Sequence, residues 1–258
     1  MVSNRPRAPC FEELSGENIC EKLDKVDQDL KKYHLVLNNR NLLLFNKFME
    51  LYKQLVVSMY KEVPGFMPKF SRGTSMMKVV LASACGSFRC LRIAHELLLK
   101  GYYPEMHCIL RMVNHWSECS VIVEGDPNVA SLIWSHGLNR NKKAIEKSIE
   151  SVKDSNEKLK NRLARMKKQS QILSQRCHPL KAAFHLISSE SEKGTDFFPG
   201  GILDEQIFAN DALNLASQTL NILNNLLRHF QSVPTDWHEK FSIIEREVLG
   251  NLPEQDSY

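Results

Sequence analysis

Apolar residues recur at alternating spacings of four and three between residues 139 and 173, and this pattern predicts one long helix. Its seam consists of Ile145, Ile149, Val152, Leu159, Leu163, Met166 and Leu173, with polar residues at Asn156 and Ser170. A heptad seam of this kind is typical of helices that pack side by side in a coiled coil. We therefore expect a helix over about 139–176 that packs either on the rest of the chain or on its mate in a second chain.

The other apolar residues also follow a helical period, and prolines and glycines divide them into shorter segments. The predicted helices cover about 17–38, 40–63, 74–100, 104–124, 128–136, 178–189, 205–230 and 237–249. No stretch alternates with period two strongly enough to predict a sheet, and residues 188–201 are predicted to form the longest loop. The pattern predicts an all-α fold, a helical bundle over 39–250 with an N-terminal lead and helix at 1–38 and a tail at 251–258.

Positive charge is concentrated on the long helix. Residues 139–168 contain eleven lysines and arginines and four acidic residues, a local net charge of +7, although the whole chain carries only +4. A basic helix on a weakly acidic body favours polyanions, and RNA is one such partner. The candidate nucleic-acid-binding residues are Lys158, Lys160, Arg162, Arg165, Lys167 and Lys168. The alternative is a solvated helix face with intrahelical ion pairs, because no aromatic residue interleaves the lysines.

The seven cysteines and the distribution of apolar residues indicate the compartment. The cysteine count is odd and the chain has no Cys-x-x-Cys, which fits a reducing environment better than a disulfide framework. Residues 1–16 lack the apolar region of a signal peptide, and no uncharged apolar run reaches eighteen residues. We expect a cytoplasmic protein that is not inserted in a membrane.

Motifs for metal and cofactor chemistry are missing from the sequence. His95-Glu96 begins like the zinc motif His-Glu-x-x-His, but Leu99 occupies the position of the second histidine. The chain also contains no Gly-x-Ser-x-Gly, no phosphate loop and no Gly-x-Gly-x-x-Gly. We therefore predict no metal and no cofactor.

Metal-independent RNA cleavage remains an alternative, because one histidine and one arginine supply proton transfer and charge stabilisation. One candidate pair is Arg89 and His95 on the third predicted helix, although a chain with this many arginines and histidines contains such a spacing by chance. The other is Arg111, which lies in an apolar turn and needs a partner, and His178, which follows a helix C-terminus. For Arg111 a structural ion pair is the commoner role, and for His178 a helix cap is the commoner role.

Several of these segments resemble a prokaryotic family of helical proteins of unknown function. The similar elements are Ile109-Leu-Arg111, Asp126-Pro127, the segment from Ala130 to Trp134, and Leu173-Ser174 followed by His178-Pro179. The family is related to the HEPN-like bundles, some of which are RNA-cleaving toxins or antiphage effectors. Two positions depart from these patterns, since His115 replaces a usual glutamate and Cys90 follows Arg89.

The resemblance implies a helical bundle and a homo-oligomer formed through helix packing, and it leaves nuclease activity open. We expect a binding or structural module of the HEPN-like kind, with Arg111 and His178 lining or bracing a cleft between helices. The first alternative is an endoribonuclease that uses Arg111 with His178, or Arg89 with His95. The second alternative is a nucleic-acid-binding protein that uses the basic helix.

Overall fold

The computed structural model describes residues 19–37, 39–71, 73–125, 127–140, 147, 150, 157–177, 188–191, 194–197, 200–201 and 203–250. Over these residues the chain forms eight helices and four very short strands, which confirms the predicted all-α class. The helices are α1 (Ile19–Val36), α2 (Arg40–Tyr60), α3 (Ser75–Leu99), α4 (Tyr103–Gly125), α5 (Pro127–Arg140), α6 (Glu157–Cys177), α7 (Glu205–Leu227) and α8 (Thr235–Leu249). No helix in this part of the chain is long and apolar enough to span a bilayer.

The ends of the helices follow from local side-chain chemistry. Thr74 and Asp204 act as N-caps, since their side chains accept hydrogen bonds from the main-chain N–H groups of Met77 and Ile207. Gly101 follows α3 with a φ of 74°, a conformation that glycine adopts without the steric cost of a side chain. These signals place α3, α4 and α7 close to their predicted bounds.

Two antiparallel strand pairs correct the prediction that the chain contains no strands. β1 (Met67–Pro68) pairs with β4 (Phe230–Ser232), and β2 (Ser188–Ser191) pairs with β3 (Gly194–Phe197). β2 and β3 are short and mostly polar, so main-chain hydrogen bonds form them without an apolar alternation that the sequence could show. The predicted helix over 178–189 was wrong at its end, because Ser188 and Ser189 belong to β2, and the rest of it lies outside the described residues.

The apolar core lies between α2, α3, α4, α7 and α8. Its largest buried side chains are Trp237, Tyr52, Tyr103, Phe45, Phe48 and Phe208. Trp237 and Tyr52 satisfy their polar atoms inside it: the indole N–H donates to the carbonyl of Leu51 at 3.3 Å, and the phenol donates to the carbonyl of Ala84 at 2.9 Å. The main chain at Gly201 passes so close to the turn between α3 and α4 that a Cβ there would lie 1.8 Å from the carbonyl oxygen of Lys100.

The described part of the long basic helix packs within the same chain. Leu159, Leu163 and Leu173, which belong to the predicted heptad seam, are buried, and α6 lies along α4. The backbone at residues 147 and 150 is also helical, whereas the seam residues Ile145, Ile149, Val152 and Asn156 lie outside the described residues. The C-terminal half of the seam thus contacts the body of the protein, and pairing of the N-terminal half with a second chain stays a prediction.

Helices α4, α6 and α7 form the layer that carries the candidate site. Contacts of His107 with Asp211 and of Ser117 with Asn225 show that α4 and α7 run in the same direction. Arg162 contacts Asn225, and Arg176 contacts Asp211, so α6 runs opposite to both. Side chains at these two points, rather than close backbone packing, connect α6 to α7.

Candidate functional site

The basic residues of α6 are divided between two sides of the helix. Each residue turns an α-helix by about 100°, which places Lys160 and Lys167 on the side nearly opposite to Lys158 and Arg165. We call the side that carries Lys160 and Lys167 the outer side of α6. The side that carries Lys158 and Arg165 faces α7, and a groove of about 690 Å³ opens there. It is lined by Lys158, Asn161, Arg162, Ala164, Arg165 and Lys168 of α6 and by Arg228, the residue that follows α7. The groove therefore collects four of the six predicted nucleic-acid-binding residues and one arginine that the sequence did not single out.

Arg162 forms the buried end of this groove and is held by two neighbours, one of which is held in turn by a third residue. Its Nη1 donates to Glu124 Oε2 at 2.7 Å, and its Nη2 donates to Asn225 Oδ1 at 2.8 Å. Asn225 Nδ2 donates in turn to Ser117 Oγ at 2.9 Å. Burial lowers the pKa of Arg162 from its usual value, and the contact with Glu124 opposes that shift. Arg162 thus joins α6 to α4 and α7, and it differs from the exposed lysines with which the sequence grouped it.

The other cations of the groove have no acidic partner among the described residues. Lys158, Arg165, Lys168 and Arg228 form no ion pair there, and no aspartate or glutamate lines the groove. Lys160, on the outer side of α6, lies 3.6 Å from Glu157 in an intrahelical ion pair. Four positive charges without an acidic partner among the described residues, gathered around one concave surface, attract an anion more strongly than the same charges dispersed over a helix.

A buried histidine close to the groove does not contribute to its charge at neutral pH. The pKa of His229 is lowered to about 4, chiefly by burial and also by the charges of Arg162, Lys69 and Arg228, while Glu124 opposes the shift. The imidazole is therefore neutral near pH 7. The positive charge of the groove therefore comes from its lysines and arginines.

A line of polar residues runs through the interior between α4 and α7, and the sequence analysis did not recognise it. Its members are His107, Asn114 and Ser117 on α4 and Asp211, Gln218 and Asn225 on α7, and the three on α7 are spaced seven residues apart. The heptad spacing of Asp211, Gln218 and Asn225 was visible in the sequence. Polar residues at a helical period ordinarily lie on the exposed face of a helix, so this spacing alone did not show that the three residues face inward.

The line ends at a cluster of three charged or titratable side chains. His107 Nε2 lies 3.2 Å from Asp211 Oδ2, without the alignment of a hydrogen bond, and both side chains are buried. Arg176 Nη1 donates to Asp211 Oδ1 at 3.1 Å and lies 3.5 Å from His107 Nε2. The carboxylate is thereby paired from α6, and the arginine side chain remains 42% exposed.

The predicted catalytic residues do not form one site among the described residues. Arg89 is exposed on α3, whereas His95 is half-buried with its ring stacked on Phe45 at 5.1 Å, and burial lowers the pKa of His95. The six-residue separation turns the two side chains about 120° apart around the helix. Arg111 is half-buried on α4, and its proposed partner His178 lies outside the described residues.

Metal ligation has no support in the part of the chain that the structure describes, where no three His, Cys, Asp or Glu side chains are grouped closely enough to hold an ion. His115 and Glu118 do face each other one turn apart, with 3.7 Å between Nδ1 and Oε2, as their spacing predicts. Comparison with protein-family models, with curated proteins and with solved structures found no match to this chain.

Proposed function

We propose that this protein is a binding module for nucleic acid, which it holds by its phosphates in the groove between α6 and α7. The observation that carries the proposal is the convergence of Lys158, Arg165, Lys168 and Arg228 on one concave surface, with no carboxylate among its described lining residues. Contacts to phosphates dominate the affinity of most nucleic-acid-binding proteins, and lysine and arginine supply most of them.

The hydrogen bonds that hold α6 in place beside the groove fit this role. Arg162 is fixed by Glu124 and Asn225, so the wall that carries Arg165 and Lys168 is attached rigidly to α4 and α7. A surface that is already ordered loses less conformational entropy when it binds a ligand. The ribonuclease alternative has less support, because neither candidate Arg–His pair is brought together among the described residues.

The proposal is tested by two charge-matched double variants of α6. Arg165→Gln/Lys168→Gln removes two charges from the groove, and Lys160→Gln/Lys167→Gln removes two charges from the outer side of the same helix. Binding of a fluorescein-labelled duplex and of its component strands, as RNA and as DNA, is measured by fluorescence anisotropy at several salt concentrations. Circular dichroism confirms that each variant is folded.

With four phosphate contacts, the logarithm of the association constant falls with the logarithm of salt concentration with a slope of about −3.6 for a duplex and about −2.8 for a single strand. The groove variant should lose about half of that slope and most of the affinity at physiological salt. The outer variant should behave almost as the unchanged protein. An equal loss in both variants would show that only the net charge matters, and it would overturn the groove as the binding site.

A further inference from the structure

We infer that the nucleic acid is double-stranded and is contacted through its phosphates alone, along the flank of α6 from Lys158 to Arg176. The inference rests on the proposed function and adds the class of ligand and a second contact region. Arg176 lies at the opposite end of α6 from the groove. Three observations support it: the groove has no stacking surface, three cations share one flank, and Arg176 is ordered yet exposed.

The first observation concerns aromatic residues. α6 contains none, and none is among the described residues that line the groove. Two exposed tryptophans in the described part of the chain lie on other surfaces: Trp116 packs against Gly86 of α3, and Lys78 lies over the ring of Trp134 at 5.6 Å. Proteins that bind single strands without sequence preference combine a basic groove with aromatic side chains on which the bases stack. A duplex keeps its bases stacked internally and offers ordered phosphates, so a basic surface without aromatic residues suits a duplex better.

The second observation is the alignment of cations along α6. At about 100° per residue, Lys158, Arg165 and Arg176 fall within about 20° of one another around the helix axis. Arg176 therefore extends the cationic surface beyond the groove. With a rise of about 1.5 Å per residue, it lies about 16 Å beyond Arg165 and about 27 Å beyond Lys158. That length corresponds to about eight base pairs, because each strand of B-DNA carries one phosphate per 3.4 Å or so.

The third observation is the state of the Arg176 side chain. Asp211, which is buried, holds one of its nitrogens, while the guanidinium retains further N–H groups and 42% of the side chain is exposed. An arginine has five donors in a fixed fork, so one carboxylate contact leaves donors for a phosphate and also restrains the rotamers. Asp211 and His107 lie behind the arginine in the interior, and an asparagine at position 211 would keep an oxygen that can accept a hydrogen bond from the guanidinium.

The test compares the binding of a duplex with that of its single strands, and the binding of a long duplex with that of a short hairpin. Anisotropy is measured with a duplex of about 16 base pairs, with each of its strands, and with a hairpin whose stem has about four base pairs. That stem is about 14 Å long, which is shorter than the distance of about 16 Å between Arg165 and Arg176 along α6. The variants are Arg176→Gln/Asp211→Asn, which removes the arginine without leaving a buried unpaired carboxylate, and Asp211→Asn alone as its control.

We expect the duplex to bind at least tenfold more tightly than either strand. Arg176→Gln/Asp211→Asn should lower the salt slope by about 0.9 for the long duplex and leave the short hairpin unchanged. Asp211→Asn, which keeps the arginine, should retain the slope on both ligands. These results together would support the duplex and the second contact region.

The inference and the proposed function fail in different ways. Tighter binding of a single strand, or an equal effect of the Arg176 variant on long and short ligands, would overturn the inference while the groove variants still identify the binding site. Absence of binding to every nucleic acid would overturn the proposed function, and the inference with it. Thermal unfolding of both Asp211 variants separates loss of binding from loss of folded protein.

Discussion

The two arginines that connect α6 to its neighbours form opposite kinds of ion pair. In the pair of Arg162 with Glu124 the arginine side chain is 7% exposed and the carboxylate is 28% exposed. In the pair of Arg176 with Asp211 the arginine is 42% exposed and the carboxylate only 2%. In the first pair the buried charge is positive and the carboxylate compensates it, whereas in the second the buried charge is negative and the arginine compensates it. The residue type alone therefore does not show whether an arginine braces the fold or faces solvent.

The largest expected effect comes from removing the partner of the buried arginine. Glu124→Ala leaves the Arg162 guanidinium with Asn225 as its only described hydrogen-bond partner, and an uncompensated buried charge typically costs about 3 to 5 kcal/mol. Urea unfolding followed by circular dichroism at 222 nm measures the loss. Arg162→Met is the matched variant, since it leaves a carboxylate that water can reach, and its cost should be smaller. A larger loss for Arg162→Met would show that the burial of the two partners does not control the energetics.

A smaller effect is expected at the other pair. Arg176→Ala removes the α6 contact of buried Asp211, but His107 Nε2 remains 3.2 Å from that carboxylate. We expect a loss of about 2 kcal/mol in the free energy of unfolding, because the charge keeps one polar neighbour. The same urea titration measures it. If Asp211→Asn is added to Arg176→Ala, part of the loss should be recovered, and failure to recover any would contradict an uncompensated carboxylate as the cause.

The smallest expected effect depends on pH and concerns a buried histidine near the ion pair of Arg162 with Glu124. His229 lies near the Arg162 pair with its pKa lowered to about 4, so the unfolded chain, with an ordinary pKa of 6.5, binds the proton more readily. Stability contributed by this group is complete above about pH 6.5 and is lost as the pH falls towards 4; at pH 5.5 the loss is about 1.4 kcal/mol. Unfolding free energies of His229→Phe and of the unchanged protein, compared at pH 7.5 and pH 5.5, isolate this contribution. An equal acid loss in both proteins would assign it to other groups.

The helical bundle was predictable because local chemistry marks each helix. Asp204 and Thr74 cap α7 and α3, and Gly101 allows the turn between α3 and α4, so the bounds followed from single residues. The heptad seam predicted a partner helix for α6 without identifying it. The choice of α4 depends on which apolar surfaces meet in three dimensions, and the spacing of one helix contains no information about that.

The candidate site was predictable only in part. The lysines and arginines of α6 were recognised from their density, but their division between a groove and an outer side depends on the position of α7. Arg228 lines the same groove although it lies 60 or more residues further along the sequence. Arg162 donates to Glu124 and is buried, unlike the exposed lysines. These are long-range pairings, which a local pattern cannot show. The polar spacing of Asp211, Gln218 and Asn225 was the one available signal of the inward-facing polar line.

The close passage of Gly201 against the carbonyl of Lys100 limits how this sequence can change during evolution. Any other residue at this position would add a Cβ within 1.8 Å of a main-chain oxygen, which cannot be relieved by moving a flexible side chain. Substitution would require the turn between α3 and α4 and the segment before α7 to shift together. Position 201 should therefore remain glycine during drift that replaces exposed residues such as Lys160 and Lys167, and its retention would help to identify this fold in diverged relatives.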